Sequence, residues 1–159
     1  MTALEAYRDD GPLASWAARR LRAGARPAAP GRVAWMVPPL LRLVEYGGLI
    51  ALTAVAASDA MPACFALLGA LAFHHYDTVY RLRHQGVEPR RWLRLSGGGW
   101  DGRLLAAAAL AAVGLLDAGL IAAAIALGTL YVAESVASWR GFVRTARPSV
   151  YDDEDLEAA

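Results

Sequence analysis

The sequence predicts an all-α integral membrane bundle of four transmembrane helices with both termini in the cytoplasm. Three observations predict it. Hydrophobic residues make up 57% of the 159 positions and charged residues only 19%, against roughly 45–50% apolar, glycine included, in soluble domains. The charges gather at the two ends and in one central loop, leaving long runs between them almost free of charge. The basic residues are all arginine, and they concentrate in 1–35, 83–103 and 140–147 while sparing the short breaks at 58–61 and 117–119. The positive-inside rule then assigns the two ends and the central loop to the cytoplasmic side of the cell inner (plasma) membrane, and four crossings satisfy it.

Composition also narrows the function. A net charge of +1 provides no global field for nucleic acid, so no nucleic-acid partner is expected. Cys64 is the one cysteine, which excludes an internal disulfide and a thiolate metal site. The first 34 residues carry no early apolar stretch of the secretory type, so insertion is expected to fall to the first membrane helix.

In chain order, residues 1–35 form a basic cytoplasmic segment. Within it, 13–23 (LASWAARRLRA) suits a short amphipathic helix, with Leu13, Trp16, Ala17 and Leu21 on one face and Arg19, Arg20 and Arg22 around the other. Such a helix suits an anionic membrane surface; the alternative is a partly ordered basic tail. RPAAPGR at 26–32 breaks it and serves as a linker.

The membrane domain, 36–142, is expected to hold spans at about 37–57, 62–82, 104–116 and 120–139. The first opens on Pro38-Pro39, tolerable in a first turn whose amides lack partners. Arg42 and Glu45 follow at i,i+3, then Tyr46, Gly47 and Gly48 before an uncharged run. The second ends in FHHYDTVYRLR, 73–83. The loop at 83–103 carries SGGG at 96–99, read as a flexible joint; it lacks the Gly-Lys-Ser/Thr end of a phosphate loop. The apolar stretch at 104–138 is too long for one crossing of about 20 residues. Asp117-Ala118-Gly119 is its natural break. Residues 143–159 form an acidic tail, expected to be disordered.

With that topology the unusual polar groups fall on the cytoplasmic side. His74, Asp77 and Arg81 share one face of the second span at i, i+3, i+7, and Tyr131, Glu134 and Ser135 share one face of the fourth. Ionisable groups at membrane depth are costly and usually face protein, water or ligand. Glu134 stands out, having no opposite charge within four residues. Arg42, Arg81 and Arg103, with Tyr46, are candidates to bind phosphate, because guanidinium forks match phosphate oxygens. Glu45, Asp77, Asp101 and Glu134 are candidates to hold Mg2+. Asp77, Glu134 and His74 are candidates to move a proton. His75 reads as a packing or interfacial residue, and a transition-metal site is not expected. The competing structural reading is that Arg42–Glu45 and Asp77–Arg81 are intrahelical pairs where helices leave the membrane, with Trp92, Trp100 and Trp139 in an interfacial belt.

At FHHYDTVYRLR, GGWDGRLL and YVAESVASW the sequence resembles an uncharacterised actinobacterial membrane domain found behind nucleotidyltransferase and CDP-alcohol phosphotransferase domains, over 42–142. The resemblance implies a helical membrane fold and phospholipid or polyprenyl-phosphate headgroup chemistry, with no reaction attached. The phosphotransferase's Asp-Gly-two residues-Ala-Arg signature is absent, and Asp101-Gly102-Arg103 only echoes it. The leading expectation is a membrane protein that binds or acts on an anionic phosphorylated lipid. The alternatives are a non-catalytic subunit of a membrane-bound transferase and, more weakly, a small transporter. Partners would be the bilayer, a lipid phosphate, and a membrane enzyme or a second copy.

Overall fold

The computed structural model describes residues 9–22, 34–84, 92–93 and 97–145. Their regular structure is all helical, without strands. The helices are α1 (Pro12–Arg22), α2 (Val37–Ala56), α3 (Met61–His84), α4 (Gly99–Ala112) and α5 (Leu116–Thr145). Single 3-10 turns, Ala34–Met36 and Ser58–Ala60, precede α2 and α3. The loop arginines Arg90, Arg91 and Arg94, and the acidic tail, lie outside the described residues.

The helices start and stop for local reasons. Pro38 and Pro39 occupy the first turn of α2, where amides have no intrahelical acceptor. Pro12 opens α1 in the same way. Between α4 and α5 the amide of Leu115 donates to Leu110 O at 2.9 Å and that of Gly114 to Ala111 O at 3.1 Å. These are the paired bonds of a Schellman motif, and Gly114 takes its left-handed position with φ +72°. The break between the last two helices therefore lies at 113–115 rather than at Asp117–Gly119. Asp117 sits in the first turn of α5, where its charge complements the helix dipole. Gly119 lies within α5, and the side chain of Leu110 fills the space a β-carbon would take.

α3 and α5 share the largest helix–helix interface, and α4 packs on α2. Gly128 lies against Ala70, Tyr131 on His74, and Ser135 bonds Asp77. The two series rise together, so α3 and α5 run parallel, as alternate helices of an up-and-down bundle do. Leu49, Cys64, Leu71 and Leu120 are among the residues of the core. The outside is apolar as well. Ala34–Ala56 and Leu116–Arg144 are long and apolar enough to cross a membrane, yet only 17% of each window is buried. A core helix of a soluble protein would show the reverse.

Candidate functional site

The polar residues singled out in the sequence all lie at one end of the bundle, in two clusters. The first joins the starts of α2 and α4 to the end of α3. Glu45, 0% exposed, takes Arg42 Nη1 on Oε2 and Arg103 Nε on Oε1, both at 2.6 Å. Arg103 also donates through Nη1 to Gly97 O at 2.9 Å. Its remaining Nη2 points to Asp9 Oδ2 at 2.6 Å.

That one oxygen is a focus. His75 Nε2 lies 3.4 Å from it and Arg42 Nη1 3.8 Å from it. Three donors on α2, α3 and α4 thus converge on a carboxylate that none of those helices carries. A carboxylate only accepts, so Nε2 bears the proton and a neutral His75 ring accepts the Tyr46 hydroxyl at Nδ1, 3.0 Å away. Burial works to raise the pKa of Asp9. The His75 hydrogen bond and the Arg103 guanidinium outweigh it and hold the carboxyl well below the ordinary carboxylate range.

Asp9 reaches this position because its arm is tied to the start of α4. The amide of Trp100 donates to Asp9 O at 3.1 Å, and its indole Nε1 donates to Asp10 Oδ1 at 3.3 Å. In return Asp101 accepts the amides of Gly11, Leu13 and Ala14 at 2.6, 2.8 and 3.0 Å. These are the orphan donors of the first turn of α1, where Pro12 has none to offer. One carboxylate therefore caps α1 from another helix. The approach is close enough that a β-carbon at Gly11 would strike Asp101 Oδ1 and Gly98 O. A β-carbon at Gly99 would strike the backbone of Gly11, and one at Gly97 would meet the Tyr131 hydroxyl. Gly98 and Gly99 also hold φ of +69° and +67°. Gly97–Gly99, expected as a flexible joint, is a close-packed corner that needs glycine for space and for backbone hand.

The second cluster lies between α3 and α5. Arg81, 2% exposed, donates through Nη1 to Glu134 Oε1 at 2.8 Å. Its Nη2 lies 2.8 Å from Glu134 Oε2 and 2.9 Å from Asp77 Oδ2, as ion-pair contacts without hydrogen-bond alignment. Asp77 Oδ1 accepts from Ser135 at 2.8 Å and from Trp139 Nε1 at 3.2 Å. Arg81 Nε and the Thr78 hydroxyl, both buried, have no hydrogen-bond partner among the described residues. His74 stacks on Tyr131 with ring centroids 4.0 Å apart and planes 13° apart.

The placement sorts the sequence candidates. Arg42, Glu45, Tyr46 and Arg103 come together, and Asp77, Arg81 and Glu134 come together, as two separate ion-pair clusters. The four acids expected around Mg2+ are dispersed. Glu45 is spent on two arginines, Asp77 and Glu134 on Arg81, and Asp101 on α1. Among the described residues no group of three His, Cys, Asp or Glu side chains is disposed to hold a metal ion. These donors do not fit Mg2+, because each carboxylate already neutralises a guanidinium or caps a helix. Sequence reasoning missed Asp9 and ranked His74 above His75. The Asp-Asp-Gly-Pro run at 9–12 was the available signal, since acids before a first-turn proline mark a helix start that must be docked somewhere.

A family model described as a family of unknown function, DUF5941, matches residues 21–158. No curated protein and no solved structure matches the chain.

Proposed function

The chain belongs to this family of unknown function, and we propose that it is a multi-pass membrane protein that binds an anionic, phosphate-bearing lipid headgroup at the cytoplasmic surface. The observation that carries the reading is the convergence of Arg42, His75 and Arg103 on one carboxylate oxygen. Such a set recognises an anion, and a phosphate oxygen has the charge and acceptor character to stand where Asp9 Oδ2 stands. Locally the bundle offers two guanidiniums against one carboxylate, Glu45, so one negative charge completes the site.

Four crossings fit this proposal. At 1.5 Å per residue the 24 residues of α3 and the 30 of α5 span about 36 and 45 Å, enough for a hydrocarbon core of about 30 Å. The 14 residues of α4 give only about 21 Å, so α4 crosses with its turn or where the bilayer thins. Along the chain the arginine-rich segments lead into and out of the end that carries both clusters, which under the positive-inside rule supports a cytoplasmic position for that end and both termini. The resemblance to a domain of headgroup-transferring proteins points to the same ligand class.

The test is binding of phosphatidic acid by the protein in phosphatidylcholine nanodiscs, with glycerol 3-phosphate as the soluble competitor. Arg42→Gln and His75→Ala each weaken binding about tenfold, the loss of one charge-assisted hydrogen bond of roughly 1.5 kcal/mol. Competition by glycerol 3-phosphate assigns recognition to the phosphate ester itself; its absence assigns it to the lipid. Unchanged affinity in both variants excludes this site.

A second reading has its own observation. In the second cluster Arg81 is closed off by Glu134 and Asp77 within the α3–α5 interface. That is the arrangement of a structural clasp, and it favours a membrane subunit that supports a transferase. Removal of one partner of a buried pair of this kind costs about 3–5 kcal/mol.

A further inference from the structure

We infer that the N-terminal arm, Asp9 with α1, is a tethered competitor for the anion site, so that the headgroup binds only when the arm leaves. The inference rests on the headgroup reading above and adds its regulation.

Asp9 behaves as a guest of the bundle. Among the described residues, α2 to α4 set Arg42 and Arg103 against Glu45 alone in the first cluster, one negative charge short, while Arg81 in the second is matched by Asp77 and Glu134. Asp9 supplies the missing charge from outside those helices. It takes the one position that Arg42, His75 and Arg103 all reach. An incoming phosphate oxygen and the Asp9 carboxylate cannot both occupy it.

The way the arm is held suits release. α1 is secured to α4 by the three amides on Asp101 and by the Trp100 bonds. These polar bonds have equivalents in water, so their net contribution is much smaller than their number suggests. Apolar burial adds little, since Leu13, Trp16 and Leu21 are 52%, 54% and 79% exposed. Those side chains, with the exposed Arg19 and Arg20, give the released helix an alternative seat on an anionic bilayer surface. The matched family region begins at residue 21. It contains all three donors and leaves out Asp9 and most of α1.

The experiment titrates the full chain in phosphatidylcholine nanodiscs with two probes, glycerol 3-phosphate and a short-chain phosphatidic acid. Wild type is compared with Asp9→Asn, which removes the competing charge, and Asp101→Asn, which loosens the latch without touching the site. Both variants bind at least one probe about tenfold more tightly than wild type, and a gain confined to the lipid identifies the headgroup as the anion displaced by Asp9. Equal affinity in all three overturns the competitor while leaving the headgroup site standing. Binding in none of them overturns the site and the competitor together. Hydrogen exchange on wild type alone gives the independent readout. Saturating probe lowers protection of the Gly11, Leu13 and Ala14 amides, which lose Asp101 as acceptor when the arm leaves, and unchanged protection there in a protein that has bound the probe overturns the inference.

Discussion

Asp9 combines a left-handed backbone, φ +50°, with a carboxylate set among two guanidiniums and an imidazole. The left-handed region is tolerable for aspartate and costly for most other side chains. Its depressed pKa has a signed consequence. A carboxyl with a folded pKa below the unfolded one contributes stability above the unfolded value, here 3.8, and loses it as pH falls further toward the folded value. Thermal melts of wild type and Asp9→Asn are therefore separated by a constant gap near neutrality, and the gap closes as pH falls below about 4. A gap that instead grew with acid would contradict the assignment of Asp9 as an ionised partner. The same contrast shows what single residues disclosed in the sequence. Glu134 was legible because no cation lies within four residues of it on its own helix, and Arg81 from α3 supplies one. Asp9 was not, because its partners His75 and Arg103 lie 66 and 94 positions away and no periodicity links a coil residue to a helix face. His75 was undervalued because Tyr46, the group that orients its ring, lies on a different helix.

At the scale of the element, long apolar runs and prolines were enough to locate the helices, while the joints depended on backbone hand. Val37–Ala56 follows the sequence expectation almost to the residue, since prolines mark its start and the run of apolar residues sets its length. The turn between α4 and α5 was misplaced because Asp117-Ala118-Gly119 has the composition of a turn. Gly114 has the same chemistry with no polar neighbour to advertise it. What distinguishes Gly114 is a positive φ, which composition does not encode. Gly114→Ala places an L side chain in the left-handed region and lowers unfolding stability in mild detergent by about 1–2 kcal/mol. Asp117→Asn forfeits only a dipole interaction at an exposed position, roughly 0.3–1 kcal/mol. Chemical denaturation of the two variants checks the order. A larger loss in Asp117→Asn would put the functional break back where composition suggested it.

Across the whole molecule, apolar surface faces outward along the helices while charge is drawn inward at one end. Val55, near the end of α2, is 89% exposed, whereas Glu45, in the first half of the same helix, is 0% exposed. That inversion suits the proposed bilayer setting, where lipid would replace water around the shaft and ionisable groups would need partners within the protein. The general pattern was legible from the distribution of charge; the division of the polar end into two clusters was not, since it depends on which helix faces which. The proposed orientation can be read directly. Cys64, the native cysteine, is 0% exposed, so single cysteines introduced elsewhere report without background. Ser58→Cys and Val113→Cys mark the two turns opposite the polar end, and Arg140→Cys marks α5 beyond the second cluster. A membrane-impermeant maleimide applied to intact cells labels the first two and reaches the third only after permeabilisation. Labelling of Arg140→Cys alone from outside would invert the bundle and put the proposed anion site on the outer face. Labelling of Ser58→Cys but not Val113→Cys would remove α4 from the count of crossings, since the short helix would then return without reaching the far side.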